Sequence, residues 1–266
     1  MQYNKRWAMG CARGRSSITT SGGCPMINDR DGFTINVLVN VLQSFITILN
    51  EKDHYTEQHS LRVKEYSAQI AAVLGLDDES IECCKYAGLM HDIGKIGISA
   101  DILNKTTPLK RKEITVIRRH PLIGEIFLSN GRITKHILRG RIRLDSVLKI
   151  LNREDCCVSK KIRETAFCHH ERFNGKGYPR KLKGKEIPVT AAILGIADSF
   201  DAMTTRRPYR PNMAFEHAIH KLVSEQNEHK LFDPELFDAF LRARDGIAAV
   251  YQEKCRPVVA HAVKLQ

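Results

Sequence analysis

Histidine and aspartate carry the chemistry that this 266-residue chain offers. Of its eleven histidines, five occur in contexts that suggest metal ligation: His59, His91, His120, His169 and His170. Two carboxylates join them. Asp92 directly follows His91, and Asp198 lies beside the run Leu194-Gly195-Ile196-Ala197, where an unpaired carboxylate is costly to bury. A set rich in imidazole, with few carboxylates and no thiolate, suits iron, manganese or another first-row metal rather than magnesium or calcium. Taken singly, each residue also has an ordinary reading, His59 as a hydrogen-bonded core histidine and Asp198 as a helix cap or an arginine partner. The adjacent pairs fit that reading less well. Neighbouring residues on a helix point roughly 100° apart, so His91-Asp92 and His169-His170 can each reach one site only where a helix ends and the chain turns. Two such ends in one chain favour a cavity that holds cations.

Helices must carry these residues. From Phe33 onward nearly every apolar run reads at helical spacing, and neither strand alternation nor an internal repeat is found. Phe33, Val37, Leu38, Val41, Leu42, Phe45, Ile46 and Leu49 form one amphipathic stripe. His59, Val63, Tyr66 and Ile70 form a second, ending at Gly75. Asp77 or Asp78 is expected to N-cap a third helix that runs through Leu89 to Gly94. Thr107-Pro108 is expected to start a helix reaching Arg119. Further helices are predicted over 122–129, 159–170, 188–203, 213–226 and 234–244. The expected fold is all-α, in one domain over 33–248, after an irregular, disordered segment 1–32 and before a tail at 249–266. Residues 131–158 fit least well. Gly131, Gly140 and five Arg/Lys between Arg132 and Arg143 give them the character of a basic surface insertion.

Composition excludes several classes. The apolar fraction of 42% is too high for a disordered chain, and 17 Gly with 9 Pro are too few for a fibrous one. The most hydrophobic stretch, 33–49, is interrupted by Thr34, Asn36, Asn40, Gln43, Ser44 and Thr47, so it falls short of the about 20 largely apolar residues of a membrane span. No apolar signal-peptide core is found near the N-terminus. The eight cysteines include Cys83-Cys84 and Cys156-Cys157 but no C-x-x-C, which fits idle thiols in a reducing cytosol better than a zinc ribbon or a disulfide framework. A net charge of +12 points to an anionic partner. No nucleic-acid motif accompanies it, and no specific nucleic-acid binding is expected.

Two motifs resemble a known family. His91-Asp92-Ile93-Gly94-Lys95 resembles the HD signature of metal-dependent phosphohydrolases. The run from His169-His170-Glu171 to Gly177-Tyr178-Pro179 resembles the second signature of the HD-GYP subfamily. The similarity covers roughly Asp53 to Phe240, with His59, His120, Asp198 and Arg207-Pro208-Tyr209-Arg210 in the expected order. It implies an HD-type helical bundle with a two-metal site in its core. It also implies a bacterial cytoplasmic enzyme that opens cyclic di-GMP to pGpG, and onward to GMP, by metal-activated hydroxide attack on phosphorus. By the same resemblance, His59, His91, Asp92 and Asp198 hold one divalent ion, iron or manganese. Asp92, His120, His169 and His170 hold the second.

Lys95 would neutralise the phosphate or protonate the leaving oxygen, the first role being preferred; its ordinary reading is an exposed lysine beyond a helix end. Arg207 and Arg210 match phosphate-contact positions, where a planar fork binds two oxygens, or they are solvated charges in a proline-rich turn. Tyr178 is expected beside a guanine base or as a brace for its loop, and the loop as a surface for a regulatory protein partner. Some members carry an acid for a third metal four positions before the first ligand histidine. Here that position is Tyr55, so two metals are expected. The stretch between His120 and His169 is longer than the family usually has, and residues 1–32 are expected to be too short and irregular for the sensory domain often fused ahead of the module. Rival readings are a hydrolase of another cyclic dinucleotide, such as cyclic GMP-AMP, or of another nucleotide, and a non-catalytic cyclic di-GMP sensor. The positive charge is concentrated: 26 Lys/Arg face 11 Asp/Glu between Lys95 and Arg210, against 16 and 19 elsewhere.

Overall fold

Helix α1, Thr56–Val73, sets the frame for everything around it. In the computed structural model the described residues are 47, 49–53, 56–129, 157–205 and 212–255, all within one unit that begins at Leu38. Among them every regular element is helical, with no strand. After α1 come α2 (Asp78–Met90), a 3-10 turn (Ile93–Gly97), α3 (Ala100–Leu103), α4 (Arg111–Ile117) and α5 (His120–Ser129). Then follow α6 (Cys157–Cys168), a 3-10 turn (Gly184–Glu186), α7 (Val189–Thr204), α8 (Phe215–His229), α9 (Pro234–Arg242) and α10 (Arg244–Cys255).

Local chemistry explains the boundaries. The Asp77 carboxylate accepts from Ser80 N at 2.8 Å and starts α2. Asp233 does the same for α9, with Pro234 in the first helical position. The helix expected from Pro108 starts later, at Arg111, because the Glu113 carboxylate reaches back to Lys110 N at 2.6 Å and is itself held by Lys105. The third helix stops at Met90 rather than Gly94, since the chain turns at His91 into the 3-10 turn. The other predicted helices shift by one to three residues at their ends: α5 starts at His120, α6 stops at Cys168, α7 spans Val189–Thr204, α8 spans Phe215–His229 and α9 stops at Arg242. Helical structure also continues past residue 248, through α10 to Cys255. The expected segment 1–32, the stripe at 33–49 except Thr47 and Leu49, and the insertion at 131–158 except its last two residues lie outside the described residues.

Helix α1 packs on α2 and α7 and also meets α9 and α10, while α6 fills the space between α2, α5 and α7. The core they share includes Tyr66, Ile70, Leu89, Ile193, Leu194, Phe200 and Phe240, all essentially buried. Each such side chain contributes about 1.5–3 kcal/mol by leaving water. Helix α7 is buried on most of its surface. Its two carboxylates therefore need partners inside the protein. Among the described residues, no helix is long and apolar enough to cross a membrane.

Candidate metal centre

Three histidines are aimed by the helix ends beside them. The carbonyls of a helix's last turn have no helical donor, and an imidazole close behind can supply one. His91 Nδ1 bonds Gly88 O at 2.8 Å in the last turn of α2. His120 Nδ1 bonds Ile117 O, the final residue of α4, at 2.9 Å. His169 Nδ1 bonds Ala166 O in the last turn of α6 at 2.5 Å. A carbonyl only accepts, so Nδ1 carries the proton in each ring and Nε2 presents its lone pair. His59, on α1, uses Nδ1 differently, placing it 2.7 Å from the Asp201 carboxylate. The adjacent pairs thus sit where the sequence requires them, His91-Asp92 just beyond α2 and His169-His170 just beyond α6.

The Nε2 atoms converge. His59 Nε2 lies 3.1 Å from His91 Nε2, and His120 Nε2 lies 3.4 Å from His169 Nε2. Asp92 reaches both pairs with different oxygens: Oδ2 is 3.5 Å from His59 and 3.4 Å from His91, while Oδ1 is 3.3 Å from His120. Asp198 places Oδ1 3.4 Å from His59 and Oδ2 3.8 Å from His170 Nδ1. Two groups of candidate ligand atoms result, His59/His91/Asp198 and His120/His169/His170, with a third, His91/Asp92/His169, straddling them. Lone pairs and carboxylates pointed at one another in a buried space are stabilised by cations between them, so this donor set fits divalent metal ions.

Electrostatics differ along the site. Burial lowers the His59 pKa, but Asp198 and Asp201 outweigh it and lift the imidazole to about 9. Burial, with the neighbouring His91 and His120, drives His169 down to about 3, and burial also lowers His120 and His170. For Asp92 burial acts upward, yet the positive charge of Lys95 and the adjoining histidines holds it well below the usual carboxylate range. Asp198 is likewise held down against its burial, chiefly by His59 and His170.

Other predicted residues take definite places. Lys95 is not an exposed lysine: its side chain is 14% exposed, with Nζ 2.8 Å from Asp92 Oδ2 and 3.1 Å from Asp53 Oδ2. The Tyr178 ring lies 4.6 Å from the His170 ring, centroid to centroid, and the Arg118 guanidinium carbon sits 5.4 Å from its centre. Gly177 is buried, and a Cβ there would collide with Arg172 N and Glu171 Cα. The buried Glu171 carboxylate ties the same loop by accepting from Arg180 N at 2.6 Å and Leu182 N at 3.0 Å. The tripeptide therefore braces the site, while its flanks Lys176 and Arg180 face solvent. Arg207, Arg210 and Tyr55 lie outside the described residues.

Sequence reasoning missed the layer behind the ligands. Asp201 is fully buried and grips Arg62 through Nε at 2.6 Å and Nη2 at 3.1 Å while receiving His59. Its position three residues after Asp198 on an apolar helix was the available signal, since that spacing puts both carboxylates on one face. Asp53, which holds Lys95 and accepts from Thr56 Oγ1 at 2.7 Å, was also missed.

Comparison with known proteins agrees with this arrangement. The chain matches the HD domain family over residues 43–236. It is 34% identical over 217 residues to a cyclic di-GMP phosphodiesterase of Thermotoga maritima, covering 82% of this chain and 52% of that protein. Identity is 33% over 193 residues to the cyclic di-GMP phosphodiesterase response regulator RpfG of Xanthomonas campestris, covering 73% and 44%. It is 32% over 213 residues to the 3'3'-cGAMP-specific phosphodiesterase 3 of Vibrio cholerae, covering 80% and 40%. The chain thus spans about half the length, or less, of these relatives. With the HD signature at His91-Asp92, the second signature at His169 to Pro179 and a family match across both, the chain belongs to the HD-domain family, in its HD-GYP branch.

Proposed function

We propose that this chain hydrolyses cyclic di-GMP to linear pGpG, and onward to GMP, with two divalent ions, iron or manganese, in a bacterial cytoplasm. The observation that carries the reading is the meeting of four imidazole Nε2 atoms around Asp92, whose two oxygens face different histidines. His59, His91, Asp92 and Asp198 would hold one ion, and Asp92, His120, His169 and His170 the other. When bound, two such ions supply Lewis acidity at a phosphoryl group and a lowered pKa for an attacking water. The protein's own part is to fix the donors. Backbone carbonyls lock three imidazoles in one tautomer, and burial excludes competing water.

Lys95 orients the Asp92 carboxylate and places a positive charge beside the reacting phosphate. Tyr178, braced between His170 and Arg118, forms a wall of the site on the His120 side. Arg207 and Arg210 would contact the phosphates. A protein partner docking at the solvent-facing flanks of the Gly177-Tyr178-Pro179 loop would regulate access. The relatives named as cyclic di-GMP phosphodiesterases support this substrate. A second reading, hydrolysis of 3'3'-cGAMP, draws on the Vibrio cholerae relative named for that nucleotide. Parallel assays of metal-loaded protein with both cyclic dinucleotides separate the two. Faster turnover of cyclic di-GMP supports the first, and faster turnover of 3'3'-cGAMP the second. Binding of cyclic di-GMP without turnover by fully metallated protein would instead mark a sensor.

A further inference from the structure

The two ends of the site are built differently. At one end His59 and His91 converge with Asp198 Oδ1, and at the other His120, His169 and His170 meet, with Asp198 Oδ2 standing off at 3.8 Å from His170. Asp92 serves both, Oδ2 turned to the first end and Oδ1 to the second. A further difference lies one layer out. His91, His120 and His169 lean on neutral backbone carbonyls. His59 leans on the Asp201 carboxylate, which Arg62 holds in a two-point grip. A carboxylate behind an imidazole orients the ring and makes it a stronger donor.

Nearby charges act in both senses. Asp198 reaches His170 as well, and the positive charge of Arg172 opposes it only weakly, while Arg118 sits over the Tyr178 ring that faces His170. The contrast between the ends therefore rests on their donors and on Asp201. Lys95 works against it, since it touches the Asp92 oxygen turned to the first end. Its charge is shared with Asp53, and Asp198 lies nearer the first end, 3.4 Å from His59 against 3.8 Å from His170.

We propose that the two ends bind divalent cations with unequal affinity: the His59–His91–Asp198 end fills first, the His120–His169–His170 end fills second, and Asp201 is the positioning residue that sets the gap. This rests on the two-metal reading above. The test is a Mn²⁺ titration of the metal-stripped full chain, followed by calorimetry and by electron paramagnetic resonance, which separates isolated ions from a coupled pair. The expected result is two steps, with isolated Mn²⁺ through the first equivalent and a coupled pair only during the second. Asp201→Asn should weaken the first step by about 10–100-fold, the usual cost of losing an outer partner of a ligand. His170→Ala should remove the second step and keep the first. Two equivalent ions, coupled from the start, would overturn the proposal, as would a first step unchanged by Asp201→Asn. If Asp201→Asn loses its helical circular dichroism, the His170→Ala chain decides: keeping the tight step supports the order, and losing it overturns the order. Uptake of fewer than two ions by the wild-type chain would instead defeat the two-metal reading and the order with it.

Discussion

A metal ion that reaches His59 has to displace a proton. The two carboxylates around this buried ring raise its pKa to about 9, so the metal-free imidazole is charged below that pH. Affinity for Mn²⁺ at the His59 end is expected to fall about tenfold for each pH unit below 9, because one proton is exchanged for the ion. Calorimetry at several pH values measures that slope, and a pH-independent first step would count against the assignment. His120, His169 and His170 are all pushed toward the neutral form, so binding at their end should show no such slope near neutral pH, and the gap between the two ends should be widest near pH 9 and narrow as the pH falls. The convergence of these residues was readable in the sequence because imidazole and carboxylate announce their chemistry by type, and because two adjacent pairs demanded helix ends. The Arg62–Asp201 pair was not, since the two residues are 139 positions apart. Nothing in either local sequence selects the other as its partner. Lys95 stood out by its place after the His91-Asp92 pair, but only the fold shows that Asp92 and Asp53 hold it.

At the level of elements, the site depends on backbones that approach closely behind the ligands. Gly94 follows His91-Asp92 by two residues, and a Cβ on it would run into His120 O at the start of α5. Gly94→Ala is therefore expected to destabilise the fold by about 1–3 kcal/mol through overpacking and to push His120 off its present position. Thermal denaturation checks the first effect, and loss of one bound metal equivalent checks the second. An unchanged melting temperature with full metal content would show that the contact is not needed. Helix existence was legible from apolar spacing for α1, α2, α5, α6, α7, α8 and α9, whereas boundaries were decided by side chains that spacing does not register. Glu113 set the start of α4 in place of Pro108, and the turn at His91 ended α2 four residues early.

Charge belongs to the scale of the whole chain. Between Lys95 and Arg210 the sequence holds 26 Lys/Arg and 11 Asp/Glu, and on the proposed function this excess would draw in a dianionic ring such as cyclic di-GMP. Salt shortens the reach of such charges from about 10 Å at 0.1 M to about 3 Å at 1 M. KM for the cyclic dinucleotide should therefore rise with ionic strength, and a KM independent of salt would rule that attraction out. Metal should also stabilise the fold, by about 2.7 kcal/mol when the free ion stands at a hundred times its dissociation constant. Chelation should lower the melting temperature accordingly, as differential scanning calorimetry reads directly. The central claim is a reaction, and the most direct test is a product assay. Protein purified without oxygen and carrying two metal equivalents is incubated with cyclic di-GMP, and the nucleotides are resolved by chromatography beside the Asp92→Ala variant. The wild-type chain should yield pGpG. Asp92→Ala should lose turnover beyond the about 10–100-fold that outer-partner changes cost. Intact cyclic di-GMP after incubation with fully metallated wild type, or normal turnover in Asp92→Ala, would contradict that claim.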